Sequence, residues 1–157
     1  MMISTQSIGR CPPAWLMSSA GSDDERIKPL GDHPSEALRS LRVLIVEDEF
    51  FISLSTEFML ESLGHVVVGI AVSADEAERI ADLERPDVVL MDIRLIGSRD
   101  GIDAATNIHA KFGIRSIFVT ANTDAQTRRR AAAAHPLSFL EKPLTERNLR
   151  VELSAVN

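Results

Sequence analysis

Short apolar runs alternate with amphipathic stretches from Leu41 onward. Val43 to Val46, Val88 to Met91, Ile117 to Val119 and Phe139 to Leu140 are too short for helices and mostly rich in β-branched or aromatic residues, so they read as buried strands; His65 to Val72 reads as a fifth. Between them the spacing predicts helices. Phe51, Leu54 and Phe58 set an apolar helical face that Gly64 closes at C′. Ser73 and Glu76 make a capping-box pair before Ala77, Ile80 and Ala81, and Pro86 separates that helix from the next strand. Asp100-Gly101 opens a third helix carrying Ile102, Ala105, Ile108 and Phe112, with Gly113 behind it. Thr123 and Gln126 repeat the capping pattern before a fourth helix through Ala134, and Leu149, Leu153 and Val156 mark a fifth. Five βα units predict an α/β domain with a five-stranded parallel sheet, doubly wound in the flavodoxin-like manner.

Met1 to about Ser40 breaks this rhythm. It carries scattered Ser, Gly and Pro with mixed charge and no sustained periodicity, and reads as a disordered leader to a domain over 41–157. Trp15-Leu16-Met17 is its one apolar patch, and Met17 is an alternative start. At 157 residues the chain suits one domain plus an extension. Cys11 is the single cysteine, no apolar run reaches the length of a membrane span, and no signal peptide is present, which together point to the cytoplasm. A net charge of −6 argues against a nucleic-acid surface. The four histidines show no metal-ligand spacing, and there is no glycine-rich phosphate loop.

The chemistry sits where the strands end. Asp92 ends the run Val88-Val89-Leu90-Met91, and a carboxylate buried there is costly unless something pairs with it. Val43 to Val46 runs into Glu47-Asp48-Glu49, Ile117 to Val119 into Thr120, and Phe139-Leu140 into Glu141-Lys142. Parallel neighbours place these ends at one edge of the sheet, where open α/β sheets bind ligands. Clustered carboxylates call for a divalent cation, and oxygen ligands suit Mg²⁺.

The order acidic pair, Asp, Thr, Lys-Pro resembles the receiver domain of two-component response regulators. The resemblance implies that Asp92 is the phosphoacceptor, charged by a histidine kinase or histidine phosphotransfer protein. It implies direct Mg²⁺ ligation by Asp48, Asp92 and the backbone carbonyl of Arg94, with Glu47 acting through water. Thr120 and Lys142 match the groups that grip the phosphoryl oxygens, Thr120 and Phe139 match the switch pair, and Lys142-Pro143 is often cis in the family. The expected protein is a stand-alone phospho-switch, not a turnover enzyme. Its output, and any homodimer, would use the face of the fourth helix, fifth strand and fifth helix, without DNA or membrane contact.

The chain departs from the family pattern in places. Glu47 stands where Asp is more frequent, the loop Ile93 to Arg99 lacks the usual proline, and His135-Pro136 replaces a small pair. Arg94 and Asn122 occupy positions that tune phosphoryl lifetime in the family. Arg128-Arg129-Arg130 reads as a solvated helix face, with a docking patch as the alternative. Two rival functions remain: a receiver-like binding module that works without phosphorylation, and an aspartyl-nucleophile phosphatase. The phosphatase would want an acid two residues after Asp92, where Arg94 stands.

Overall fold

The computed structural model describes residues 39–121 and 124–156. The leader expectation, the Trp15 patch and the positions of Asn122 and Thr123 therefore lie outside the described residues, apart from Arg39 and Ser40. Five strands and five helices alternate: β1 (Arg42–Val46), α1 (Phe50–Ser62), β2 (Val66–Ala71), α2 (Ala74–Glu84), β3 (Val88–Asp92), α3 (Gly101–Phe112), β4 (Arg115–Thr120), α4 (Ala125–Ala131), β5 (Ser138–Glu141) and α5 (Glu146–Ser154), with a 3-10 turn at Ala132–Ala134 after α4. All pairings are parallel, in the order β2-β1-β3-β4-β5. This is the doubly wound α/β fold that the alternation predicts.

Strand alternation divides the core in two. Val43, Ile45, Val88, Leu90, Ile117 and Val119 meet Leu60 of α1 and Leu149 and Leu153 of α5 on one face. Leu44, Val46, Val89, Met91 and Phe118 meet Ala77 and Ala81 of α2, Ala105 and Ile108 of α3 and Ala131 of α4 on the other. Burial on both faces is why the strands read as continuous apolar runs. The chain winds one way from β1 to β2 and the other way from β3 to β5, so the order reverses between β1 and β3. Such a reversal opens a crevice at the carboxyl ends of the two strands.

Helix α1 corrects the apolar face expected from Phe51, Leu54 and Phe58. Phe51 is 82% exposed and Phe58 63%, while Ser53, Thr56 and Leu60 are buried. The two hydroxyls fit inside because each donates to its own helix, Ser53 Oγ to the Phe50 carbonyl at 2.9 Å and Thr56 Oγ1 to the Ile52 carbonyl at 2.8 Å. No orphan donor is left behind. Only Leu60 contributes a large side chain to the buried stripe, so apolar spacing alone selected the wrong side.

Smaller differences concern helix ends. Ser73 accepts from the Glu76 N–H, but Glu76 reaches back to the Val72 N–H and not to Ser73, so the box is half formed. Helix α4 is capped by Asp124, whose carboxylate accepts from the Thr127 N–H at 2.8 Å. It is also shorter than expected, giving way to the 3-10 turn. Gly64 and Gly113 close α1 and α3 at φ of 85° and 71°, as their placement in the sequence implies.

Across α2 and α3, Glu78 gathers a charged network. Its carboxylate accepts from Lys111 Nζ at 2.8 Å, Asn107 Nδ2 at 2.9 Å and Arg99, which also binds Asp75. Burial pushes the Glu78 carboxyl up, but the hydrogen bonds from Lys111, Asn107 and Arg99 outweigh it and hold the pKa at about 2.

Two measurements check this packing. In urea denaturation, Leu60→Ala is expected to cost about 2–5 kcal/mol, whereas Phe58→Ser stays within about 0.5 kcal/mol of the parent. Because the Glu78 pKa is depressed on folding, its contribution is present above pH 4.5 and lost as pH falls toward 2. Glu78→Gln should therefore flatten the acid limb of the stability profile between those values.

Candidate functional site

Three strand ends converge beside the crevice. Asp92 is the last residue of β3 and is buried, at 7% exposure. Glu47 follows β1 and is still tied to the sheet, its N–H donating to the Ala71 carbonyl at 2.9 Å. Asp48 is the next residue, half-buried. Lys142 follows β5 and reaches across two strands, with Nζ at 2.6 Å from Asp92 Oδ2 and 2.7 Å from Glu47 Oε2. Its own N–H donates to the Thr120 carbonyl at 3.0 Å, which fixes the start of the reach, and the Lys142-Pro143 bond is cis.

The second oxygens of Asp92 and Glu47 are also bonded. Asp92 Oδ1 accepts from the Arg94 N–H at 2.9 Å, and Glu47 Oε1 from the Glu49 N–H at 3.3 Å. Glu47, Asp48 and Asp92 each offer an oxygen within 4.8 Å of the others, a cluster able to hold a hard cation. Burial pushes the Glu47 carboxyl up, opposed by the Lys142 hydrogen bond and reinforced by the charge on Asp92. Burial alone would lower the Lys142 ammonium, but its bonds to Asp92 and Glu47 prevail and raise it above the ordinary lysine value. Protein groups therefore hold the charges in place, and a cleft of about 390 Å³ lined by Asp48, Glu49, Asp92, Arg94, Ala121 and Lys142 opens them to solvent.

Thr120 ends β4 and is buried. Phe139 lies opposite Phe118 in the β4–β5 register and stacks on it, with ring centroids 5.5 Å apart. All the residues singled out at strand ends thus share one edge of the sheet; Phe139 lies on β5, two residues before its end. The Arg94 side chain is exposed, and its backbone N–H donates to Asp92.

Sequence reasoning missed three contributors. Gly101, at the first turn of α3, donates its N–H to the Ile93 carbonyl at 3.0 Å, and a Cβ there would overlap the Asp92 carbonyl oxygen. Asp100-Gly101 signals a turn in the sequence, but not this close approach. Arg128 lies 5.0 Å over the Phe139 ring, and Arg130 pairs with Asp100 at 2.8 Å, so two of the three arginines read as a solvated face have partners. Contacts between separate elements leave no local signal. His109 and His135, distant in sequence, lie with ring centroids 5.0 Å apart and ring planes tilted at 44°.

This fold, with an acidic cluster and a lysine converging on a strand-end aspartate, is that of a signalling domain. The chain belongs to the response regulator receiver domain family, whose model matches residues 43–154. It is 38% identical over 104 residues to the transcriptional regulatory protein PdtaR of Mycobacterium tuberculosis, covering 66% of this chain and 50% of that protein. It is 31% identical over 136 residues to the phyllosphere-induced regulator PhyR of Methylorubrum extorquens, covering 84% of this chain and 50% of that protein. The chain thus spans about half the length of these relatives. Among solved structures it resembles the signal receiver domain of a modulated diguanylate cyclase from Desulfovibrio desulfuricans, at 35% identity and a TM-score of 0.71, covering 74% of this chain and 93% of that one. Among the described residues no helix is long and apolar enough to cross a membrane.

Gly101→Ala should be among the costlier single substitutions in the domain, at about 3 kcal/mol or more in urea denaturation, because backbone must move to admit the methyl group.

Proposed function

We propose that this receiver domain is a phospho-switch in which Asp92 accepts a phosphoryl group from a histidine kinase or histidine phosphotransfer protein. The observation that carries the reading is the Lys142 ammonium held between Asp92 and Glu47 at the mouth of the cleft. An oxygen of Asp92 forms the new P–O bond as the donor's P–N bond breaks. Lys142 exchanges its carboxylate partner for the incoming phosphoryl oxygens, and Thr120 turns its hydroxyl toward them. Phosphoryl transfer spreads charge over the equatorial oxygens, so positioned positive charge is the main requirement.

The acidic cluster fits Mg²⁺ in its donor set, all oxygen and mostly carboxylate. Asp48, Asp92 and the Arg94 carbonyl would hold the ion directly and Glu47 through water. Held by these residues, the ion would supply the positive charge that offsets the clustered carboxylates and the charge of a phosphoryl group on Asp92. Arg94 offers no acid to finish a phosphatase cycle, so the domain stops at one phosphoryl group and signals through Thr120 and Phe139 to the surface of α4, β5 and α5. That surface would bind the downstream protein or a second copy. The domain occupies about 41–157 and works in the cytoplasm, with residues 1–40 dispensable for phosphorylation.

Intact-mass measurement after incubation with acetyl phosphate and Mg²⁺ tests the reading. One added phosphate is expected on the parent and none on Asp92→Asn; equal labelling of both overturns it. In calorimetry, Asp48→Ala should abolish Mg²⁺ binding while Glu47→Ala weakens it about tenfold.

A further inference from the structure

Helix α4 has little apolar anchorage. It buries Ala131 alone, and the 3-10 turn behind it adds only Ala134. For comparison, α5 buries Leu149 and Leu153. A groove of about 470 Å³ opens to solvent between Ile102, Thr106 and Asn107 of α3 and Arg130 and Ala133, beside the packed alanines. The longer reaches from α4 are made by two arginines. Arg128 lies over the Phe139 ring of β5, and Arg130 reaches α3, with one guanidinium nitrogen 2.8 Å from Asp100 Oδ2 and 3.9 Å from Asp103 Oδ1.

Asp100 is placed to sense the site. Its Oδ1 accepts from the Ile102 and Asp103 N–H groups at 3.0 and 3.1 Å, capping α3, which leaves Oδ2 for Arg130. The next residue is Gly101, hydrogen-bonded to Ile93 and packed on the Asp92 carbonyl. Any shift of the loop after Asp92 therefore moves the carboxylate that holds α4.

We propose that Arg128 and Arg130 form a two-point clasp holding α4 in its unphosphorylated position, and that Asp100 carries the state of the Asp92 loop to it. This rests on the phospho-switch reading above and adds a route to α4 separate from Thr120. A contact made only in one state biases a two-state equilibrium by its own worth, so removing the clasp favours the phosphorylated arrangement. Exposed ion pairs and cation–π contacts are each modest, and a modest bias suffices in a helix with so little buried surface.

The test uses the full chain, with beryllofluoride and Mg²⁺ as the phosphoryl mimic. Arg130→Ala should bind beryllofluoride about threefold more tightly and Arg128→Ala/Arg130→Ala about tenfold, since the two side chains touch different elements. Without the mimic, amide exchange over 124–134 should quicken in both variants while β1, β3 and β4 keep their protection. Arg130→Lys, which keeps the charge, should stay within about twofold of the parent. Unchanged or weaker binding by Arg130→Ala, or exchange that rises evenly through the sheet, overturns the clasp alone. Failure of the parent to bind beryllofluoride, or equal binding by Asp92→Asn, overturns the phospho-switch reading and the clasp with it.

Discussion

The Lys142 ammonium bridges Asp92 and Glu47, and the arrangement of the carboxyl edge depends on that bridge. β1 and β3 are hydrogen-bonded neighbours, but their ends deliver like charges to the same small volume, and parallel pairing alone does not relieve the repulsion. A cation arriving from beyond β5 does. Once the charges are buried together, loss of one partner leaves the others uncompensated, so the three side chains stand or fall as a unit. In the proposed switch, those bonds are the ones the lysine would exchange for phosphoryl oxygens.

The fold was legible in the sequence wherever burial was two-sided. Val43 to Val46, Val88 to Met91 and Ile117 to Val119 read as strands because both faces are covered, and their polar successors Glu47, Asp92 and Thr120 read as an edge because parallel strands end together. Glycine placement at Gly64 and Gly113 carried the helix ends. Periodicity failed on α1, where Ser53 and Thr56 can be buried by bonding to their own helix while aromatic rings face outward. An apolar count has no way to register a hydroxyl satisfied by its own backbone.

The site was legible to the extent that its residues sit at strand ends. The contributions of Gly101, Arg128 and Arg130 depend on how separate elements approach one another. The Gly101 backbone comes against the Asp92 carbonyl, Arg128 crosses from α4 to β5, and Arg130 from α4 to α3. Nothing in the local spacing of these residues marks such partners, and the Arg128-Arg129-Arg130 run looks like any solvated face until the neighbouring helices are placed.

The Glu78 network gives the two sides of the sheet's helical layer different mechanical characters. Lys111, Asn107 and Arg99 converge on one carboxylate between α2 and α3, and several bonds to a single centre resist both sliding and splaying. Those two helices form a stiff frame. A weakly seated helix beside a stiff frame converts a small push into displacement of one member, where a uniformly soft layer would dissipate it as general loosening.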